Sequence, residues 1–246
     1  MHPDRTELYI HPCMYVSLAI KSVLVTHKGG LMVRKTKEEA QATREQLLDA
    51  AERLFSENGV SATSLNDIAR AAALTRGAVY WHFENKSDLL MALWDRVALP
   101  IEQAFADADR DVGNDTLLLI ERKSCWIADN IEKNDRIRLL MNILMLRCEF
   151  ATETASARTH FLNIREECIG EVRQHFEVAI KSGRLAPCVN AEQAAMGLFG
   201  LTDGICFHWL IQPERFLIAE TTRNAVRAYL RGLQAEGKSS RPKSVQ

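Results

Sequence analysis

TSLNDIARAAALTRGAVYWHFENKSDLL, residues 63–90, holds two short helical patterns separated by a break of only a few residues. Ser64 opens the first, and Asp67 three positions on completes the spacing of a capping box. Leu65, Ile68, Ala69 and Ala72 then fall on one face of a helix of about ten residues. Thr75 is suited to cap a second helix after a tight turn at Ala73 and Leu74, and Asn85 with Asp88 repeats the cap signature at the head of a third. Helix, short turn, helix is the helix-turn-helix arrangement, whose second helix enters the major groove of DNA.

The four aromatic residues Tyr80, Trp81, His82 and Phe83 fit that reading. A helix that only packs shows its apolar residues at three- and four-residue spacing, so an unbroken run must turn some rings away from the core. Val79 and Phe83, four apart, are predicted to face the neighbouring helices, leaving Arg76 and Tyr80 on another face. Arg76 has the reach and the fork for guanine, Gly77 and Ala78 let the backbone approach base edges, and Tyr80 suits a phosphate or a thymine methyl. Thr75 and Trp81 belong to the same expected surface. His82 and Lys86 are expected on phosphates, Lys86 beside the backbone N–H groups that open the next helix. Arg34, Lys35 and Lys37 form a basic arm for phosphates or the minor groove, with further backbone contacts from Arg44 and Ser64. Each of these taken alone is equally at home as a solvated surface residue.

Upstream, Leu47, Leu48, Ala51, Leu54 and Phe55 make a helical stripe ended by Asn58-Gly59, which supplies the first helix of a three-helix unit. The first 31 residues match nothing that follows: His11 and Lys21 interrupt an apolar stretch with no cleavage signal. We read 1–31 as a non-native or disordered extension, with Met32 as the natural start. The remaining units are 32–85 for DNA binding, 86–236 for ligand binding and dimerisation, and 237–246 as a disordered tail. The chain of 246 residues is 47% hydrophobic with a formal net charge of −1, so any nucleic-acid site must come from local clustering of Lys and Arg. Six dispersed cysteines lack C-x-x-C or zinc-finger spacing and read as reduced thiols of a cytoplasmic protein, with a redox-sensing thiol as the minority alternative.

With those residues in view, the stretch resembles the DNA-binding domain of the TetR/AcrR family of one-component bacterial regulators, in the pattern T-x-x-x-I-A-x-x-A…G-x-x-Y-x-H-F-x-x-K-x-x-L. The resemblance covers roughly Arg34 to Leu93. NILMLRCEF (142–150) and TDGICFHW (202–209) are similar to the branch that represses multidrug-efflux operons. The resemblance implies an all-α fold: an N-terminal three-helix helix-turn-helix domain followed by a helical ligand-binding and dimerisation domain. It also implies release from a palindromic operator by a small hydrophobic compound. One departure stands out. The family usually has glycine at the turn position held here by Ala73, and alanine at positive φ would cost about 1 kcal/mol.

Beyond residue 86 the chain reads as helices punctuated at Asn114, Asn134, Gly183 and Pro187, with a final helix beginning at Pro213 and carrying Phe216, Leu217, Val226, Tyr229 and Leu230. No segment reads as a membrane span. No phosphate-binding glycine loop, nucleophile elbow or metal-ligand pair occurs, so no catalytic residue, cofactor or metal is assigned. Cys148 beside Glu149 would serve an enzyme poorly, since neighbours on a helix point about 100° apart. The stretch 191–211, with small residues Ala195, Gly197, Gly200 and Gly204, is expected to pair with the last helix across a two-fold axis as a four-helix bundle, giving a homodimer on two half-sites. Trp126, Met141, Met145, Phe176 and Phe207 are expected to line one cavity. Glu149 or Asp203 would meet a cationic drug there, unless an internal arginine such as Arg138, Arg147 or Arg165 pairs with it. A metabolic or redox-sensing regulator, and a helix-turn-helix used only for protein contact, remain as alternatives.

Overall fold

The computed structural model describes residues 37–112, 115–149 and 152–239, and these contain helices and helical turns with no strand. Helix α1 is Lys37–Asn58, α2 Leu65–Ala71 and α3 Arg76–His82; α4 is Lys86–Val112, α5 Thr116–Asn130 and α6 Asp135–Asn142. Helix α7 is Ala155–Lys181, α8 Ala191–Ile211 and α9 Ile218–Ser239. Helix α9 thus runs three residues past the boundary expected for the last folded unit, while Arg34, Lys35, the 1–31 extension and the last seven residues lie outside the described residues.

Local chemistry sets the helix ends. Ser64 and Asp67 form the full capping box of α2: the Asp67 N–H donates to the Ser64 hydroxyl at 3.2 Å and the Ser64 N–H donates to the Asp67 carboxylate at 3.1 Å. At the other end of α2 the Ala73 N–H donates to Arg70 and the Leu74 N–H to Ala69, at 3.0 and 2.9 Å, the two bonds of a Schellman cap. That cap requires a left-handed residue, and Ala73 supplies it at φ 54°, as the missing glycine predicted. Gly183 at φ 74° ends α7 through the equivalent bonds from Gly183 to Ile180 and from Arg184 to Ala179. Asn134 caps α6, and Asn85 accepts from the Asp88 N–H at 3.0 Å at the head of α4.

Two helices depart from expectation. Pro213–Arg215 is a separate 3-10 turn, and Phe216 is fully extended (φ −159°, ψ 159°), so Phe216 and Leu217 precede α9 rather than riding on it. Helix α6 does not continue to residue 150; its last turn, Ile143–Arg147, widens to a π-helix and ends at an extended Cys148. The π-turn places the Arg147 carbonyl where the Val60 N–H donates to it at 3.0 Å, which joins the turn after α1 to the second unit.

The core of the first unit is Leu47, Leu48, Phe55, Ile68, Val79 and Phe83, all buried. Helix α4 carries this core onward through Leu89, Leu90, Leu93 and Trp94, and Trp94 meets Phe161 of α7 edge-on. Arg96 clamps α4 to α1 through Glu45 and Asp49. Burial raises the carboxyl of neighbouring Glu52 above its ordinary value, against the opposing charge of Arg96. Helix α8 is long and apolar enough to cross a membrane by length and composition, yet half of that window is buried against its neighbours.

Candidate nucleic-acid interface and ligand cleft

Because α3 has only seven residues, its buried side is a single contact: Val79 at its centre is fully buried, with Phe83 just past its end. Everything else on α3 faces outward or sideways. Arg76, Gly77, Tyr80 and Trp81 are exposed, Trp81 at 72%, which no core requirement explains. Thr75 holds the helix start, accepting from the Ala78 N–H at 3.2 Å. The Arg76 guanidinium lies 5.3 Å from the centroid of the Tyr80 ring, which steadies a long side chain on the outer face. His82 is half-buried between the rings of Trp81 and Phe83, with the Trp81 ring edge-on at 4.4 Å. Lys37 is exposed at the start of α1, and Arg44, half-buried, sits over the Phe83 ring at 5.3 Å.

Two expected phosphate ligands are engaged otherwise. Lys86 is turned inward: its ammonium donates to the carbonyls of Val60 and Ser61 at 3.0 and 3.1 Å and pairs with Glu153 at 3.0 Å. Its side chain is only 13% exposed, so it pins the turn after α1 to the segment before α7. Ser64 donates its hydroxyl proton to Asp67 at 2.6 Å while accepting from the Asp67 N–H, which makes it a cap and leaves no proton for a phosphate. Those bonds from Ser64, with Arg70 adding its charge, hold the Asp67 carboxyl below its usual range.

The expected ligand residues do not come together. Met141, Met145 and Phe176 are buried in the core, Trp126 and Phe207 are half-buried against it, and none of the five lines the cleft walled by Phe105 and Phe199. Glu149 is exposed, with the Ser61 hydroxyl at 3.4 Å, because the chain leaves its helix at Cys148. Asp203 is buried but carries an internal partner, Arg165, at 2.9 Å. The cleft lies instead between α4, α5, α7 and α8, with room inside for about one water-sized molecule (about 20 Å³) and a mouth open to solvent. Phe105, Ile127, Cys168, Val172 and Phe199 form its apolar walls, and Lys123, Glu171 and His175 its polar groups. His175 and Phe176 are adjacent on α7 and point about 100° apart, so one enters the cleft and the other the core. Lys123 falls four residues after Leu119 and four before Ile127, on the buried stripe of α5, and that spacing was the available signal.

The cleft is electrically structured. Lys123 pairs with Asp109 at 2.8 Å and lies over the Phe105 ring at 5.3 Å. Burial lowers the His175 pKa from its ordinary value, and the Lys123 charge lowers it further against the opposing charge of Asp109. Burial also pushes the thiols of Cys125 and Cys148 up to about 12, helped by nearby Asp129 and Glu149 respectively, which argues against either as a nucleophile or redox sensor. No cluster of metal-ligating side chains occurs among the described residues.

The comparisons with known proteins agree with this geometry at both ends of the chain. The family model of bacterial regulatory proteins of the tetR family matches residues 47–93, and that of the MAATS-type transcriptional repressor C-terminal region matches 115–235. The chain is 35% identical over 195 residues to the HTH-type transcriptional regulator AcrR of Shigella flexneri, covering 79% of this chain and 91% of the relative. It is 34% identical over 183 residues to the HTH-type transcriptional regulator TtgR of Pseudomonas putida, covering 74% and 87%. Among solved structures, NalD, the secondary repressor of the MexAB-OprM multidrug efflux pump in Pseudomonas aeruginosa, superposes with a TM-score of 0.73 at 34% identity, covering 80% of this chain and 98% of that one.

Proposed function

The chain belongs to the TetR family of bacterial regulatory proteins, and from that premise we propose that it represses a multidrug-efflux operon in the cytoplasm, releasing a palindromic operator when a small hydrophobic compound occupies its cleft. The observation that carries this reading is α3: seven residues, capped by Thr75, buried only through Val79 and presenting Arg76, Gly77, Tyr80 and Trp81 outward. Arg76 is the base-reading residue, Gly77 and Ala78 allow close approach, and Lys37, Arg44, Thr75, Tyr80, Trp81 and His82 add contacts to the backbone. Two solved structures similar to this chain, NalD and SmeT, are each named as a repressor of a multidrug efflux pump, and a SmeT structure at 29% identity and TM-score 0.66 contains triclosan. These support a hydrophobic effector for this chain.

One module of this size gives few base contacts, and a two-fold dimer doubles them on half-sites about 34–36 Å apart or a multiple of that distance. Helices α8 and α9 supply the surface. Met196 and Ile211 on α8, and Leu217 just before α9, are exposed, and Gly200 and Gly204 face open space. Gly197 serves the chain itself: a Cβ there would overlap the Tyr229 hydroxyl, which donates to the Ala194 carbonyl at 3.0 Å. Ala195 is likewise buried within the chain. The test is fluorescence anisotropy with a duplex from the flanking intergenic region and an unrelated duplex of equal length. Preferential, salt-dependent binding that an effector reverses is expected; equal binding to both duplexes refutes the operator reading.

A further inference from the structure

A charged contact ties two walls of the cleft, and a histidine shares the space beside it. The side chain of Lys123 on α5 is only 9% exposed; it pairs with Asp109 of α4 at 2.8 Å and lies over the Phe105 ring of α4 at 5.3 Å. One side chain thus holds α5 to α4 at two points. His175 of α7 lines the same space, whose interior admits about one water-sized molecule. The charges around its imidazole come from three helices: Lys123 from α5, Asp109 from α4 and Glu171 one turn earlier on α7. Helix α8 presents Phe199, whose ring has Arg165 at 5.7 Å, and Arg165 is paired with Asp203 at 2.9 Å. The remaining titratable group of the wall is the Cys168 thiol of α7.

A proton on His175 sets an imidazolium against the Lys123 ammonium where there is room for about one water. The second charge is accommodated in one of two ways: the imidazolium takes Asp109 from Lys123, or the walls part and water enters. Both loosen the tie between α5 and α4, and α4 is the helix that follows directly on α3. We propose that His175 is a proton sensor, whose protonation opens the seam between α4, α5 and α7 and lowers affinity for the operator. This rests on the reading of the chain as an operator-binding repressor. The sign follows from linkage. Burial and Lys123 hold the imidazole below its ordinary value of 6.5 while the seam is closed, so the opened form binds the proton more tightly and acid favours opening. Parting of the walls is also what any occupant larger than water requires, so proton and occupant act on one equilibrium. Charge alone predicts the opposite trend: a histidine protonated elsewhere, His82 beside the expected phosphates included, adds attraction to DNA.

The experiment follows the full chain on the flanking intergenic duplex by anisotropy from about pH 8 to about pH 5.5 at constant ionic strength, over the range in which circular dichroism shows it folded. Imidazole signals are followed by NMR over the same range. The wild type is expected to lose affinity below pH 6.5 by up to about tenfold per pH unit for each protomer. His175→Gln should abolish that loss and leave a flat or rising profile, whereas His82→Gln should retain it. Lys123→Gln gives a second arm: with the ammonium gone and Asp109 left to the imidazolium, the His175 signal should titrate at higher pH than in the wild type. Wild-type affinity that holds or rises on acidification, a His175→Gln profile that follows the wild type, or a His175 midpoint unmoved by Lys123→Gln overturns the proton sensor with the operator reading intact. A chain that does not prefer the intergenic duplex at about pH 8 overturns the operator reading and the release step with it.

Discussion

Two matched caps allow the left-handed turn of the helix-turn-helix to be weighed quantitatively. Ala73 (φ 54°) and Gly183 (φ 74°) occupy the same position of the same Schellman motif, and Gly183 would meet nothing within 4 Å if given a Cβ. Left-handed backbone costs a residue with a Cβ roughly 1–2 kcal/mol. Glycine gives back about 0.4–1 kcal/mol through the greater freedom of its unfolded chain. Ala73→Gly should therefore stabilise the protein by up to about 1 kcal/mol, and Gly183→Ala should destabilise it by the same order. For a chain of this size each kcal/mol shifts the melting temperature by about 2–4 °C, within reach of calorimetry or circular dichroism. Operator affinity should hold in both variants, because neither substitution touches the outer face of α3. If Ala73→Gly lowers the melting temperature while Gly183→Ala also lowers it, residue 73 is not strained and the reasoning about this turn is wrong.

Arg76→Ala should weaken specific operator binding by about 1–3 kcal/mol and relax preference at one base pair per half-site, read by anisotropy against a set of single-base variants. Lys86→Ala should lower thermal stability by about 1–3 kcal/mol, since the Val60 and Ser61 carbonyls lose a charged donor, yet leave the salt slope of DNA binding unchanged; a slope reduced by about one unit would mean that Lys86 meets phosphate instead. Acidification should cost stability in two stages. His175, whose folded pKa is depressed, loses its contribution as pH falls below its ordinary value of 6.5, and Asp67, depressed from 3.8, loses its own at lower pH, so the melting temperature should decline in that order. Exposed Cys188 should alkylate before Cys125 and Cys148, whose thiols are raised to about 12, in a mass-spectrometric time course.

What the sequence made legible divides along a physical line. Caps, turn residues and the buried or exposed side of a short helix are properties of neighbours in the chain, so the Ser64 box, the strain at Ala73, the burial of Val79 and the exposure of Arg76 and Tyr80 could all be read locally. The ligand site could not. Apolar periodicity shows that α5, α6, α7 and α8 each bury a face without showing which faces converge, so Met141, Met145 and Phe176 satisfied the pattern and became core. Their exclusion from the cleft follows from helix rotation, as His175 beside Phe176 illustrates. Lys86 was misread for a related reason: its neighbourhood at the head of α4 suggests an anion, but the carbonyls that claim it lie some 25 residues away in the chain.

The same long-range bonds bear on how the cleft and α3 can communicate. An effector lowers operator affinity only by preferring a conformation that the operator does not, and a hundredfold release requires a difference of about 2.7 kcal/mol. Helix α4 alone is continuous between the two units, but it is not their only link. The Val60 N–H binds the Arg147 carbonyl at the π-helical end of α6, Lys86 bridges the Val60–Ser61 turn to Glu153, and the Ser87 hydroxyl donates to the Glu153 carbonyl at 3.2 Å. The turn after α1 is thus held directly by the Arg147 carbonyl and, through Lys86, by the Glu153 carboxylate, and α7 carries Cys168, Val172 and His175 into the cleft wall. A charge-assisted hydrogen bond contributes about 1.5–3 kcal/mol. The difference required is therefore of the size of one or two such bonds, of which the Lys86 anchor between the turn after α1 and Glu153 is one.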